Sequence, residues 1–323
     1  MKNKKSDVNV SEKKKEYEKV NINYNSAEVI ENGNDNGNDS LNEDEQKPKR
    51  PIIGIALGGG GSLGFAHIGV IKVLEENNII PTKWAGTSMG AIVAAMYCYG
   101  YKAEKMFEIS KKIRTRQFFD INFSGKGLLN GRGVERLLRK YIPLETRIQD
   151  LKFEYACNAV ELYSGKEHVF TKGALLKAVR ASFSVPGVFA PVKINNKLYV
   201  DAGIVNNVPD NIIKNMGADI IISVDIVNGY ERQTKIKGVM DVIYLSTLVG
   251  QIELRRVKEK YSDVIIAPKL SKYKQYTFSK KHAEDMLRVG ESAAKKALPE
   301  ILQAIENFNI RLKNIEEQLN NNN

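Results

Sequence analysis

The chain has 323 residues, of which 42% are apolar and 27% are charged. This length allows one large domain or two ordinary ones, and the apolar fraction is enough for a sizeable core. Two cysteines, Cys98 and Cys157, exclude a disulfide framework and a four-cysteine zinc site. No apolar run approaches the roughly 18 residues of a membrane-spanning helix, and no apolar stretch follows the basic N-terminus as a secretory signal requires. A reducing, cytoplasmic location is therefore expected.

The positive charge lies outside the first 50 residues. The whole chain carries +11, and residues 1–50 hold ten Lys/Arg against eleven Asp/Glu, so residues 51–323 carry +12. Such a surplus favours any polyanion, whether nucleic acid or anionic lipid. The sequence has no zinc-finger or RNA-binding-sheet motif. We therefore expect no nucleic-acid partner, and peripheral contact with an anionic membrane stays as an alternative.

The composition divides the chain into three segments. Residues 1–50 contain ten Asn and no Phe or Trp, so they have too little apolar surface to offset the entropy of ordering. They are predicted to be a disordered polar tail. Residues 51–303 are expected to form the folded domain, and residues 304–323 a C-terminal helical extension.

The folded domain begins with two similar units. Residues 52–57 are a short apolar run that ends in four glycines, and residues 63–74 are apolar nearly all round. This pattern is typical of a strand, a glycine turn and a buried helix. A second strand over residues 79–85 and a second helix after residues 86–90 predict parallel βαβ topology.

The second half of the domain adds further strands. Alternating residues on both sides of Asn195-Asn196 predict a hairpin whose second strand ends at Asp201. Residues 218–225 and 263–267 are predicted to be buried strands. The expected fold class is α/β, a three-layer α/β/α sandwich with a mostly parallel central sheet.

The most specific motif is a G-x-S-x-G pentapeptide from Gly86 to Gly90, with Ser88 at its centre. It falls between a predicted strand and a predicted helix, where a sharp turn holds a serine hydroxyl out toward a substrate. The flanking glycines leave room for neighbouring chain, and the helix N-terminus favours developing negative charge. Ser88 is therefore a candidate nucleophile, and Gly86 and Gly90 form its elbow.

The second motif is the glycine run that includes Gly59, Gly60 and Gly61. Read as G-x-G-x-x-G, it also satisfies the dinucleotide-binding fingerprint. That fingerprint requires an acidic residue at the end of the next strand, and none stands there. Backbone without side chains also serves as an oxyanion hole, in which amides approach a substrate carbonyl closely.

A nucleophilic serine requires a base. The three histidines, His67, His168 and His282, occur in contexts that favour structural or surface roles. A carboxylate can accept the proton directly, and Asp201, at a strand end before Ala202-Gly203, is the best placed.

These elements, in this order, resemble the patatin-like phospholipase family of bacterial type. The segments LGGGGSLGFAHIGVIKVLEE, WAGTSMGAIVAAMYCYGY, AVRASFSVPGVFAPV and LYVDAGIVNNVP carry the resemblance. It implies a patatin-type sandwich and a Ser/Asp dyad without histidine. By position, Ser88 is then the nucleophile, Asp201 the general base, and Gly59 to Gly61 supply the oxyanion amides. Two departures are Leu63, where the family often has a cation, and Ala202, where it usually has glycine.

The resemblance implies a lipid acyl-ester hydrolase that releases fatty acids without a cofactor or a metal. The alternative is a catalytically silent lipid-binding or scaffold protein of the same fold, and a nucleotide-binding enzyme comes third. Residues 116–141 mix aromatic and basic side chains and are typical of core packing or of a lipid surface. Heptad spacing from Leu298 to Leu319 predicts a helix that packs on its own domain or joins a homodimer.

Overall fold

We describe the fold from a computed structural model, which covers residues 50–118, 120, 127–227, 236, 238–258 and 260–321. The predicted tail, residues 1–50, lies outside these residues apart from Arg50. Within the described part of the chain, no helix is long and apolar enough to cross a membrane.

The centre of the domain is an eight-stranded mixed sheet. Its strands are β1 (Ile53–Leu57), β2 (Lys83–Gly86), β3 (Glu154–Glu161), β4 (Glu167–Phe170), β5 (Val192–Ile194), β6 (Lys197–Asp201), β7 (Ile220–Val224) and β8 (Val264–Ile266). The order across the sheet is β5-β6-β3-β2-β1-β7-β8, and β4 pairs with β3. The neighbours β3-β2, β2-β1, β1-β7 and β7-β8 pair in parallel. The pairs β3-β4, β3-β6 and β5-β6 are antiparallel.

Helices cover the sheet. They are α1 (Ala66–Glu76), α2 (Met89–Tyr99), α3 (Ala103–Lys112), α4 (Arg132–Leu138), α5 (Leu175–Ser182), α6 (Asp210–Asn215), α7 (Val239–Val257) and α8 (Lys280–Asn321). Short 3₁₀ turns include residues 61–65 and 202–204.

Strand β1 shows why there are three layers. Successive side chains of a strand point to opposite faces. Ile55 and Leu57 join a large apolar cluster that includes α1, α2 and α8, whereas Ala56 joins a smaller one with Ile212 and Ile213 of α6. The strand is therefore buried on both faces, and the predicted α/β/α sandwich is confirmed.

The second strand is shorter than the sequence predicts, because residues 79–82 form the connection between α1 and β2. The amide of Ile79 donates to the carbonyl of Leu74, at 2.9 Å, and so closes α1. Pro81 has no amide for a strand ladder. Pairing with β1 consequently begins only at Lys83.

The C-terminal helix α8 runs without interruption through the predicted boundary at residues 303/304, and Pro299 lies inside it. Ala294 and Ile301 are fully buried. Further along, three side chains of the predicted heptad region are about half exposed: Ile310, Ile315 and Leu319. The apolar stripe therefore divides into a packed part and an exposed part.

The mixed aromatic and basic stretch, residues 116–141, contributes only in part to the core. Phe118, Val134 and Leu138 are buried, as the core interpretation expects, whereas Leu128 is 55% exposed. Phe119 and Phe123 lie outside the described residues.

Candidate active site

Ser88 occupies the turn between β2 and α2 in an unusual backbone conformation, with φ 56° and ψ −122°. A non-glycine residue holds such a conformation only where its surroundings fix it. The amide of Thr87 donates to the carbonyl of Leu57 at 3.0 Å, and that of Gly90 donates to Thr87 at 2.8 Å. The amide of Ser88 itself donates to Ser182 Oγ at 2.9 Å. The elbow is therefore anchored to β1 and to α5.

The two elbow glycines allow α2 to pack directly on the sheet. A Cβ added at Gly86 would lie 2.5 Å from the amide nitrogen of Ala91, and one at Gly90 would overlap the carbonyl of Leu57. Glycine at both positions therefore leaves the N-terminus of α2 directly behind Ser88, where the helix dipole favours negative charge.

Asp201 is the last residue of β6 and is 5% exposed. The amide of Gly203 donates to Asp201 Oδ1 at 2.8 Å. Burial raises the pKa of Asp201 to about 6, and the nearby Ser88 side chain and the Gly203 amide offset the effect only in part. Such a carboxylate is ionised at neutral pH and still basic enough to accept a proton in a reaction.

The departure at Ala202 is accommodated without strain. Ala202 is fully buried in the turn that follows Asp201. It is not among the described residues with positive φ. A methyl group therefore fits where a glycine is usual in the family.

The three amides of the glycine loop differ in their hydrogen bonding among the described residues. The amide of Gly59 donates to the carbonyl of Asn207 at 3.2 Å. Within the described part of the chain, the amides of Gly60 and Gly61 have no acceptor. Gly61 has φ +55°, in the left-handed region that favours glycine. Of the three predicted oxyanion donors, Gly60 and Gly61 are therefore the two that remain available to a ligand.

His67 supports the glycine loop from beneath. It is fully buried, and its Nε2 lies 2.8 Å from the carbonyl oxygen of Gly58. Because a carbonyl only accepts, Nε2 carries the proton. Burial lowers the pKa of His67 to about 4, so the ring is neutral at physiological pH.

A buried polar network fixes the residue before the nucleophile. Thr87 Oγ1 donates to Asn158 Oδ1 at 2.8 Å and contacts the carbonyl oxygen of Asn206 at 3.1 Å. Asn158 and Asn206 both donate through Nδ2 to Glu167 Oε1, at 2.8 and 2.7 Å. The network joins β3, β4 and the segment after Asp201 beneath the elbow, and it therefore helps to fix where Ser88 and Asp201 lie.

An apolar cavity of about 60 Å³ begins at Met89, the residue after Ser88. Its lining is almost wholly apolar, and two further methionines, Met96 and Met106, belong to it. Methionine side chains are flexible and adapt to irregular ligands. Because Met89 directly follows Ser88, the cavity lies beside the turn that holds Ser88.

None of the three histidines, all of which the structure describes, forms a hydrogen bond with Ser88 or Asp201. His168 is exposed on β4 and contacts Phe170. His282 Nε2 lies 3.3 Å from the carbonyl oxygen of Ser62. Among the described residues there is also no cluster of His, Cys, Asp and Glu that could hold a metal ion.

Two residues of the site had no role in the sequence analysis. Ser182 accepts the hydrogen bond from the Ser88 amide. Asn207 donates through Nδ2 to the carbonyl of Gly59 at 3.2 Å. Both lie in segments that carry the family resemblance, yet nothing in their local pattern indicates which distant backbone atom each one contacts.

The site combines a serine at a strand-to-helix turn, a glycine loop and a strand-end aspartate on a three-layer scaffold. This combination defines a class of α/β proteins. Within that class, residues 55–211 match the family model described as patatin-like phospholipase. Residues 55–211 therefore form a patatin-like phospholipase match, and the resemblance seen in the sequence is confirmed over that part of the chain.

Two curated relatives extend this result. An uncharacterized NTE family protein of Mycobacterium tuberculosis is 34% identical over 184 residues, which are 56% of this chain and 50% of that protein. Lysophospholipase NTE1 of Pyricularia oryzae is 31% identical over 180 residues, or 54% of this chain and 12% of that protein. The chain thus spans about half the length of the mycobacterial relative and a small part of the fungal one.

A solved structure agrees with the fold. The crystal structure of VipD from Legionella pneumophila matches with a TM-score of 0.53 at 13% identity, covering 80% of this chain and 67% of that chain. At this identity the likeness concerns the fold alone.

Proposed function

We propose that the protein is a serine acyl-ester hydrolase that releases fatty acids from lipids through a Ser88/Asp201 dyad. The observation that carries this proposal is the proximity of the Ser88 side chain to the buried Asp201 carboxylate, whose pKa burial raises to about 6 and Ser88 lowers in part. A hydroxyl with an adjacent base is the arrangement that activates a serine nucleophile.

The first half of the reaction forms an acyl-enzyme. Ser88 Oγ attacks the ester carbonyl carbon while its proton passes to Asp201. The carbonyl oxygen becomes an oxyanion, which accepts hydrogen bonds from the amides of Gly60 and Gly61. The carbon–oxygen bond to the alcohol then breaks, and the alcohol leaves with the proton from Asp201.

The second half releases the fatty acid. A water molecule loses its proton to Asp201 as it attacks the acyl carbon. The same two amides hold the second oxyanion. The bond to Ser88 Oγ breaks, the proton returns to Ser88, and the dyad is restored.

A lipid substrate is supported by the apolar cavity beside the nucleophile. The cavity begins at Met89 and is lined by apolar side chains of α1, α2, α3 and α4. A fatty acyl chain that enters it leaves its carbonyl at Ser88. The name of the fungal relative, a lysophospholipase, agrees with this class of substrate.

The test is hydrolysis of a short chromogenic ester together with labelling by a fluorophosphonate probe. Ser88→Ala and Asp201→Asn should each lower turnover by about 10⁴-fold or more, and Ser88→Ala should abolish labelling. Ser292→Ala, at an exposed serine of α8, is the matched control and should change neither. Wild-type protein that hydrolyses no ester and takes no label would favour the catalytically silent lipid-binding alternative.

We also propose peripheral contact with anionic membranes. Residues 51–323 carry +12, and α7 exposes Val249, Leu254 and Val257 close to its C-terminal arginines. Exposed aliphatic side chains beside cations suit an anionic lipid surface.

Sedimentation with vesicles tests this proposal. The fraction of protein bound should grow with the content of anionic lipid and fall as the salt concentration rises. Val257→Asp should weaken binding, whereas Leu144→Asp, at another exposed aliphatic residue, should not; binding that ignores lipid charge and salt would contradict this proposal.

A further inference from the structure

A second cavity, of about 350 Å³, lies beside the segment that follows Asp201. Gly203 and Asn207 line it, and both residues also contact the candidate active site. The amide of Gly203 donates to Asp201 Oδ1, and Asn207 Nδ2 donates to the carbonyl of Gly59. The cavity is therefore adjacent to the dyad and the glycine loop.

The lining of this cavity is strongly basic. Among the described residues that line it, four are cationic and one is acidic: Arg255, Arg256, Lys258, Lys260 and Asp225. The basic residues lie at or just after the end of α7. This part of the chain is outside residues 55–211, which match the family.

The guanidinium of Arg255 pairs with two carboxylates, and one of its nitrogen atoms has no hydrogen-bond partner among the described residues. Its Nη1 pairs with the fully buried Asp210 at 3.0 Å, and its Nε lies 3.8 Å from Asp225 Oδ2. Its Nη2 is buried and has no hydrogen-bond partner among the described residues. The Arg255 side chain is 18% exposed and lines the cavity, so its guanidinium adds fixed positive charge there.

Lys258 adds a partly buried ammonium group. Burial lowers its pKa, and the nearby carboxylates of Glu167 and Asp210 offset this effect only in part. Both carboxylates already accept other hydrogen bonds, Glu167 from Asn158 Nδ2 and Asp210 from Arg255. No hydrogen bond of this ammonium group is seen among the described residues, so it can contribute to binding an anion in the cavity.

We propose that the cavity binds the phosphate group of the lipid substrate and makes the hydrolase selective for phosphate-bearing esters. The inference rests on the proposed function, because it assumes that an ester lies at Ser88. Phosphate fits the lining because it carries between one and two negative charges and several strong acceptors.

A binding experiment tests the site without catalysis. Ser88→Ala protein is titrated with inorganic phosphate in a calorimeter at constant ionic strength. Saturable binding is expected, and Lys258→Gln or Lys260→Gln in the same background should weaken it about tenfold each. Lys296→Gln, at an exposed lysine of α8, makes the same charge change elsewhere and should leave binding unchanged. Absence of saturable binding, or equal binding in all variants, would overturn the proposal.

A kinetic experiment separates a headgroup site from a site for free phosphate. Wild type and variants hydrolyse two monomeric substrates with the same short acyl chain, a lysophosphatidic acid and an uncharged monoacylglycerol. Lys258→Gln should lower kcat/KM for the phosphate ester about tenfold and change that for the neutral ester less than twofold. Inorganic phosphate should compete only with the phosphate ester. Phosphate binding combined with equal losses on both substrates would contradict the headgroup assignment, whereas failure of Ser88→Ala to abolish turnover would refute the proposed function instead.

Discussion

Gly59 approaches Ser88 so closely that a Cβ added at Gly59 would lie 2.9 Å from the Cβ of Ser88. The same atom would lie 2.7 Å from Asn207 Oδ1. Real side-chain atoms do not approach each other so closely, so only glycine fits between Ser88 and Asn207. This close approach places the glycine loop against the turn that holds Ser88.

Gly59→Ala should therefore disable the site without unfolding the protein. The added methyl group must push the loop away from Ser88, and losing an oxyanion donor typically lowers the rate about 10²- to 10³-fold. We expect a fall of that size in kcat, measured with the chromogenic ester. Gly250→Ala on α7, where an added Cβ meets nothing within 4 Å, is the control and should keep full activity. An active, folded Gly59→Ala protein would exclude the proposed role of the loop.

The pH dependence of the rate should report the ionisation of Asp201. Its pKa is raised to about 6 by burial, and only the ionised form accepts the proton of Ser88. We expect kcat/KM to rise about tenfold between pH 5 and pH 7 and then to level off, since this parameter follows the free enzyme. A rate that stays flat from pH 5 to pH 8 would show that Asp201 is not the base.

The same carboxylate should make stability depend on pH. The folded state holds its proton more tightly than the unfolded chain, because its pKa is about 6 against an ordinary value of 3.8. Its contribution to stability is thus fully present below about pH 4 and is lost as the pH rises through about 6.

Asp201→Asn keeps an acceptor for the Gly203 amide and carries no charge. At pH 8 it should raise the free energy of unfolding by up to about 3 kcal/mol, from about two pKa units at about 1.4 kcal/mol each. The gain should shrink toward zero near pH 4. Denaturant titrations at several pH values measure it, and a gain that is the same at pH 4 and pH 8 would contradict this account.

His67 should act on the site through the glycine loop. His67→Leu removes the donor to the Gly58 carbonyl and leaves that buried acceptor unpaired, which costs about 1–3 kcal/mol. We expect lower stability and a lower kcat with little change in KM, since the oxyanion amides lose their support while substrate contacts remain. His168→Leu, at the exposed histidine of β4, is the control. If both variants lose the same activity, His67 does not hold the loop.

The sequence contains the local parts of this site but not their mutual contacts. The elbow around Ser88 and the strand end at Asp201 follow from short patterns, because turn geometry and strand period depend on neighbouring residues. The Gly59 amide donates a hydrogen bond to the carbonyl of Asn207, and the Ser88 amide donates one to Ser182 Oγ. Both bonds join distant segments of the chain, and no local sequence pattern indicates them. The sequence likewise does not indicate that Arg255 lines a cavity, because Arg255 meets its buried partner Asp210 only in the folded protein.

The two parts of the apolar stripe on α8 should differ in energy. Ile301 is fully buried, whereas Ile315 is 52% exposed. Ile301→Ala should lower the free energy of unfolding by about 2–5 kcal/mol, whereas Ile315→Ala should change it by less than about 0.5 kcal/mol.

The exposed part of the α8 stripe is too short to hold two helices together, since isolated helical seams of few turns are marginal in water. Light scattering on the full chain should therefore give the mass of one chain, 36.2 kDa. A mass twice as large that falls to the single value in Leu319→Glu would establish the homodimer instead.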